Sequence, residues 1–457
     1  MLLLFCNMGK KYIVFLLLVC LVSFGAIAKK MPPKAGDRVK NDTVAVNAAG
    51  YHVSTPTSTQ REVPSQVSRN AGTSINAVTG AAASVSSNGT WAAPNTPETT
   101  HLRISLLTCG PGYSEIYEVF GHTAIRIVDS LNQSDLVYNY GTFNGFEENF
   151  ELKFMRGKLD YYLSICTYDE FMQEYVEHHR EVVEQLLLLD ENQKKVFYDF
   201  LNWNAEPENR NYKYDFFFDN CSTRIREIFP ETVSKDFKFG QVVPPIKNYT
   251  FRHIINEYFY ITVWERFGIN ILLGSRIDKV MTNSDIMFLP EYLSRGVKGA
   301  VANGKPVGPD VVQLLPGNPP PLAPVDGPMI LTWALALLTI AGLSFKQLHV
   351  LGKIMSSLLL FVTGLLGCLI LVMWFGTNHQ GCGNNFNILW ALPINVYVAF
   401  AKPKGKGRYA LIAIGLILVT LLLHITGVQQ LILSEFLPLF LALVYIYGTI
   451  YRNDKVK

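Results

Sequence analysis

The stretch Phe120-Gly121-His122-Thr123-Ala124-Ile125-Arg126-Ile127-Val128 decides how the middle of this chain is read. His122, Ala124 and Arg126 alternate with Thr123, Ile125 and Ile127, the period of two that marks a strand. A strand is therefore expected over 122–128, opened by a histidine directly behind a glycine. Working outward, 103–108, 136–140 and 161–166 read as further strands. Thr167 with Glu170 makes a capping box, and Phe171, Tyr175, Val182 and Leu186 recur at helical spacing behind it. Asp190 opens a second helix that ends near Trp203. Strands and helices are mixed, so an α+β domain is expected over 101–300.

On the N-terminal side, 29–100 is rich in Ser, Thr, Ala, Asn, Gly and Pro and poor in aromatics. Such a composition cannot bury enough apolar surface to offset its ordering entropy, and a flexible tether is expected there. Residues 1–28 read as a secretory signal: Lys10 and Lys11, an apolar core over 12–24, then small residues at Ala26 and Ala28. The short core favours cleavage over anchoring, and Val19 makes Cys20 a poor lipoprotein site.

On the C-terminal side, a Gly- and Pro-rich linker is expected over 301–327, leading into a membrane domain over 328–457. Five apolar segments fall near 329–345, 354–375, 388–401, 409–427 and 431–451, and five membrane helices are expected from them. The third is short for a span. Lys346 and Lys353, then Lys402, Lys404, Lys406 and Arg408, then Arg452, Lys455 and Lys457 lie in alternate connections. The basic turns belong inside, which leaves the 101–300 domain and the uncharged connections 376–387 and 428–430 on the outer face. The net charge of +3 over 457 residues gives no reason to expect a nucleic-acid partner.

Two motifs can carry chemistry. One is the histidine at the start of the 122–128 strand. The other is Asp219-Asn220-Cys221-Ser222-Thr223-Arg224, running into Ile225, Ile228 and Phe229 and expected to stop at Pro230. Asp219 or Asn220 is a good N-cap, so Cys221 falls in the first helical turn, where backbone N–H groups and the helix dipole stabilise a thiolate. A cysteine in that place with a histidine base is what thiol-mediated acyl transfer needs. Taken singly, each residue is more often plain core. There is no C-x-x-C pair, so a zinc site is not expected, and no motif calls for a cofactor. Cys109, Cys166 and Cys221 share the exported domain. A Cys109–Cys166 bridge is one pairing open to them, and it would leave Cys221 free.

The order of histidine on a strand, a polar residue on the next strand and cysteine at a helix start resembles the circularly permuted papain-like clan, which includes the lecithin:retinol acyltransferase family. More closely, the chain resembles the Bacteroides-type lipoprotein N-acyltransferases. The matching stretches are Thr108-Cys109-Gly110-Pro111-Gly112, the Phe120–Arg126 run, Tyr138-Asn139-Tyr140-Gly141-Thr142-Phe143, the Asp219–Arg224 run, Phe288-Leu289-Pro290-Glu291-Tyr292-Leu293 and the membrane domain. The resemblance implies a permuted papain-like periplasmic domain, with Cys221 as acyl-accepting nucleophile and His122 as its base. Asn139 is the expected orienting residue, with Tyr138 and Tyr140 as competitors. It also implies a membrane phospholipid as acyl donor and a diacylated lipoprotein as acceptor. A cell-wall peptidase or amidase would use the same pair of residues but needs no membrane domain.

Polar, uncharged residues in the outer connection, His379, Asn384 and Asn385, are expected to contact substrate, as is Tyr140. The aromatic run 212–218 is either an acyl pocket or core. Glu435 and His424 lie near the outer boundary, where ionisable groups are costly.

Overall fold

In the computed structural model, residues 101–455 are described apart from 114–115 and 402–404, together with two short strands further upstream. The expected signal and most of the expected tether lie outside the described residues. Within the tether, β1 (Ala45–Asn47) and β2 (His52–Val53) form an antiparallel pair.

The domain ahead of the membrane region is built on an antiparallel sheet. Its further strands are β3 (Leu102–Cys109), β4 (His122–Asp129), β5 (Ser134–Phe143), β6 (Asp160–Thr167), β7 (Val182–Leu186) and β8 (Asn211–Lys213). A hairpin, β9 (Val301–Ala302) and β10 (Lys305–Pro306), precedes β11 (Val312–Leu315). The sheet order is β11-β7-β3-β4-β5-β1-β2, and β6 and β8 extend it from β5. The domain's helices are α1 (Phe150–Met155), α2 (Tyr168–Glu177), α3 (Glu191–Ala205), α4 (Cys221–Thr232), α5 (Phe251–Tyr258), α6 (Val263–Leu272), α7 (Asn283–Ile286) and α8 (Pro290–Lys298).

The strand expectations hold within a residue or two at most ends. The alternation in β4 places Ile125 and Ile127 in one core with Ile225, Ile228 and Phe229 of α4 and Phe197 and Leu201 of α3. On the other face Ala124 joins Leu107 and Val137 against Phe171 and Tyr175 of α2, and the Arg126 guanidinium lies 3.4 Å from the centre of the Tyr168 ring. Covering both faces explains why a strand with polar residues is buried for most of its length.

Three boundaries differ from expectation. The helix behind Thr167 ends at Glu177, and Val182 to Leu186 form β7 between β11 and β3. His179 adopts a positive φ of 51°, which ends the helical run, and the β-branched Val182 and Val183 fit the pleat. Helix α4 continues through Pro230 to Thr232. The expected linker is partly structural, because β11 pairs with β7 and completes the sheet edge.

The membrane region contains α9 (Gly327–Ser344), α10 (His349–Gly376), the one-turn α11 (Asn395–Val398), α12 (Gly407–Ile425) and α13 (Leu433–Lys455). Among the described residues four helices are long and apolar enough to cross a membrane, not five. The expected third span, 388–401, forms only a 3-10 turn at Phe386–Leu389 and the short α11. It runs antiparallel along α10. A Cβ placed on Gly367 would lie 1.9 Å from the Ala391 carbonyl oxygen, and one on Gly364 would lie 2.4 Å from the Val396 nitrogen. Further along, Ser357 Oγ donates to Ala399 O at 2.8 Å. Pro393 lacks the N–H a helix would use. The segment's polar groups are satisfied inside the protein. The Tyr409 and Tyr447 hydroxyls donate to Asn395 Oδ1 at 2.6 and 2.9 Å, and Trp390 Nε1 donates to Asn387 Oδ1 at 2.9 Å. Irregular backbone at membrane depth is tolerated only when buried in protein in this way.

Candidate active site

The path into α4 is fixed by two linked turns. Asp215 and Asp219 exchange backbone hydrogen bonds at 2.9 Å, and Asp215 Oδ1 accepts from the N–H groups of Phe217 and Phe218. Asn220 then caps the helix. Its Oδ1 accepts from Thr223 N at 2.9 Å, and Thr223 Oγ1 accepts from Asn220 N at 2.7 Å. Asn220 Nδ2 donates to the carbonyls of Phe216 and Phe288, both at 2.9 Å. A good cap is worth about 1 kcal/mol, but its larger effect is to hold Cys221 at the first helical position. Asp219 is not the cap; it binds Arg224 with both oxygens, at 2.5 and 2.6 Å.

His122 reaches the site because Gly121 turns the chain at φ +75°, with a virtual Cβ only 2.4 Å from the Cys109 carbonyl. Any side chain there would clash with β3. His122 is buried, and its Nε2 lies 2.6 Å from Asn139 Oδ1. A carbonyl oxygen can only accept, so Nε2 carries the proton and Nδ1 is left to act as base. The β5–β6 register shifts between Asn139 and Thr142, and such an irregularity re-aims side chains beside a site. The competing tyrosines point elsewhere: Tyr138 OH donates to Asn202 Oδ1 and Tyr140 OH to Asn204 Oδ1.

The buried Cys221 thiol receives opposing influences. Burial raises its pKa, while the charge and hydrogen bond of His122, the backbone N–H of Thr123 and the Ser222 hydroxyl lower it; the net position is below an ordinary cysteine. Ser222 is itself held by Thr123, with 3.0 Å between the hydroxyls. The other cysteines of this domain behave differently. Cys109 lies opposite His122 in the β3–β4 register, yet burial pushes its thiol up to about 12, as it does that of Cys166. Both are free, so the Cys109–Cys166 bridge is not formed.

The sequence did not reveal the Thr123–Ser222 contact, because 99 residues separate the partners. From the aromatic run, Tyr212 and Phe217 are buried core residues, and Tyr212 and Tyr214 lie close enough to Cys221 for its charge to act on them.

The outer connection packs against the turn before α4, with Gly381 against Phe217 and Cys382 in the same apolar cluster as Cys221. His379 donates from Nε2 to Met155 O at 3.1 Å, and burial lowers its pKa despite the neighbouring Met155 carbonyl and Asp215 charge. Asn385 is buried. It donates to the carbonyls of Ile271 and Leu272 at 2.9 Å and accepts from Asn387 N and Gln429 Nε2, so its bonding capacity is filled from within. Asn384 has φ 53° and an exposed side chain, and its carbonyl accepts from Ser275 N. The Tyr140 hydroxyl is occupied by Asn204. Of the four expected substrate contacts, Asn384 therefore has its side chain facing solvent, while His379, Asn385 and Tyr140 are engaged within the protein. Glu435 is buried in an ion pair with Arg266, which also binds Asp326, and His424 Nδ1 accepts from Leu431 N. Both hold the outer ends of spans in place.

Residues 91–257 match the family model of the Lnb N-terminal periplasmic domain, and residues 322–456 match that of the Lnb transmembrane domain. Neither a curated protein nor a solved structure matches the chain. The two domains occur in the order the architecture requires, with the Cys–His pair in the first and the apolar helices in the second. The chain thus belongs to the Lnb-type lipoprotein N-acyltransferases, multi-pass inner-membrane enzymes of lipoprotein biogenesis with a periplasmic catalytic domain.

Proposed function

We propose that Cys221, His122 and Asn139 carry out a two-step acyl transfer from a membrane phospholipid to the N-terminal amine of a diacylglyceryl-cysteine lipoprotein. What supports this reading is Cys221 at the start of α4 with its thiol lowered chiefly by a neighbouring histidine, whose Nε2 donates to Asn139 Oδ1 at 2.6 Å. In the first step His122 Nδ1 takes the thiol proton and Sγ attacks the ester carbonyl of the donor. The ester C–O bond breaks, the lysophospholipid oxygen takes the proton back from His122, and the acyl group remains on Cys221 as a thioester. In the second step the lipoprotein α-amine attacks that carbonyl. The C–S bond breaks, an amide forms, and the amine proton returns to the thiolate through His122. The backbone N–H of Cys221, at a helix start, is a natural donor to the oxyanion in both steps.

The chain order His122, Asn139, Cys221, with the sheet first and the helix last, is the permuted papain-like order, and Asn139 fills the orienting role without adding charge. Burial of the thiol favours an amine over water as acceptor of the thioester. The test is mass spectrometry of lipoprotein N-termini from cells whose sole copy carries Cys221→Ala. Free α-amines in place of amides are expected. Unchanged N-acylation would overturn the proposal, and release of cleaved muropeptides by the wild-type chain would assign it to the peptidase chemistry instead.

A further inference from the structure

An open cleft of about 650 Å³ lies between α1 and the outer connection, lined by Asn149, Lys153, Arg156, Lys158, Lys213 and Asn378. Four of these side chains are cationic. Lys153 is paired with Glu147 and Lys213 with Asp160, whereas Arg156 and Lys158 are exposed and enter no ion pair among the described residues. Two positive charges in one cleft without acidic partners call for an anion from outside the chain.

The surroundings indicate where that anion comes from. Asn378 N donates to the Arg156 carbonyl at 2.9 Å, and Asn378 lies two residues beyond the end of span α10 at Gly376. The last turn of that span presents Trp374 stacked on an exposed Phe375, the aromatic placement typical of the headgroup boundary. Arg156 and Lys158 are thus held just above that boundary. Among the lining residues Leu152 is 49% exposed, apolar surface suited to the edge of a bilayer.

The cleft shares strand β8 with the neighbourhood of the thiol. Lys213 lines it from β8, and its strand neighbour Tyr212 turns to the opposite face, where it is buried beside Cys221.

We infer that this cleft binds the phosphodiester of an outer-leaflet phospholipid, with Arg156 and Lys158 as the phosphate-binding residues. The inference rests on the reading that the acyl donor is a phospholipid, but its test requires no chemistry. The full chain carrying Cys221→Ala, in detergent, is titrated with short-chain phosphatidylglycerol, and bound lipid is counted by native mass spectrometry. Adding Arg156→Ala with Lys158→Ala is expected to weaken binding about tenfold, since each basic residue near a lipid phosphate contributes a few-fold in affinity. Glycerophosphoglycerol should displace the lipid and inorganic phosphate should not. Unchanged affinity in the double variant overturns the inference. Displacement by inorganic phosphate as effective as by the diester overturns it too, by making the cleft a general anion site. Charge-dependent lipid binding in a protein whose wild type transfers no acyl group supports the cleft while overturning the transfer reaction. The altered side chains are exposed, and an unchanged melting temperature of the double variant confirms that binding is read on folded protein.

Discussion

Two polar clusters in this molecule look alike in composition and differ in what they leave unused. Around Cys221, the influence of His122, the Thr123 N–H and the Ser222 hydroxyl outweighs burial and favours the charged form of the sulfur. Around Asn385, side-chain amides are consumed by backbone: Asn385 takes the carbonyls of Ile271 and Leu272, and Asn387 takes those of Asn270 and Ile271. The first cluster leaves a thiol with its pKa lowered, as the proposed acyl transfer needs. The second joins α6 to the membrane domain and has no bonding capacity left for a substrate. The comparison teaches that polar side chains at a membrane face can be spent wholly on holding two domains together.

The largest effect that would sharpen this contrast comes from His122→Ala. Transfer is expected to fall by about 10³-fold or more, as when a base is removed from a catalytic unit. Because His122 lowers the thiol, the pH midpoint for alkylation of Cys221 should move upward in the variant, with Cys109 and Cys166 unreactive throughout the neutral range. Iodoacetamide labelling followed by peptide mass spectrometry reads both, and an unmoved midpoint would separate His122 from the thiol.

An intermediate effect, of another kind, is expected from Asn385→Ala. Two buried carbonyls at the end of α6 lose their donors, at about 1–3 kcal/mol each. The melting temperature of the detergent-solubilised chain should drop by several degrees, roughly 5–10 °C, while transfer per folded molecule stays within about threefold. A large loss of rate at unchanged melting temperature would erase the distinction between the clusters.

The smallest effect belongs to His379→Ala. One hydrogen bond to Met155 O is lost, about 1 kcal/mol, and steady-state transfer should change by no more than about twofold. A collapse of transfer there would return the outer connection to the reacting machinery.

Local signals in the sequence were enough for the strands around His122, the caps at Thr167 and Asp190, a cap at Asp219 or Asn220, and the orientation of the membrane domain. They misled where tertiary pairing outweighed local pattern. Val182 and Leu186 keep a helical spacing from Tyr175, but the open edge of β3 claims them as β7. The 388–401 segment is apolar enough to suggest a helix, but glycines on α10 admit an irregular chain at close range, and Asn387 and Asn395 find partners that a lipid-facing helix would lack. The sequence lists His379 and Asn385 as donors without saying that the carbonyls of Met155, Ile271 and Leu272 take their hydrogen bonds.

By itself the sequence determined the α+β domain, the membrane domain behind it, a histidine at the start of a strand and a cysteine at the start of a helix. Those follow from periodicity, capping and charge, which act over a few residues. Only the tertiary structure decided that Asn139, not Tyr138 or Tyr140, meets His122, that Cys109 is inert beside it, and that Thr123 and Ser222 support the thiol. Hydrogen bonds and desolvation depend on atoms brought together from distant parts of the chain, and no local pattern records which of them meet.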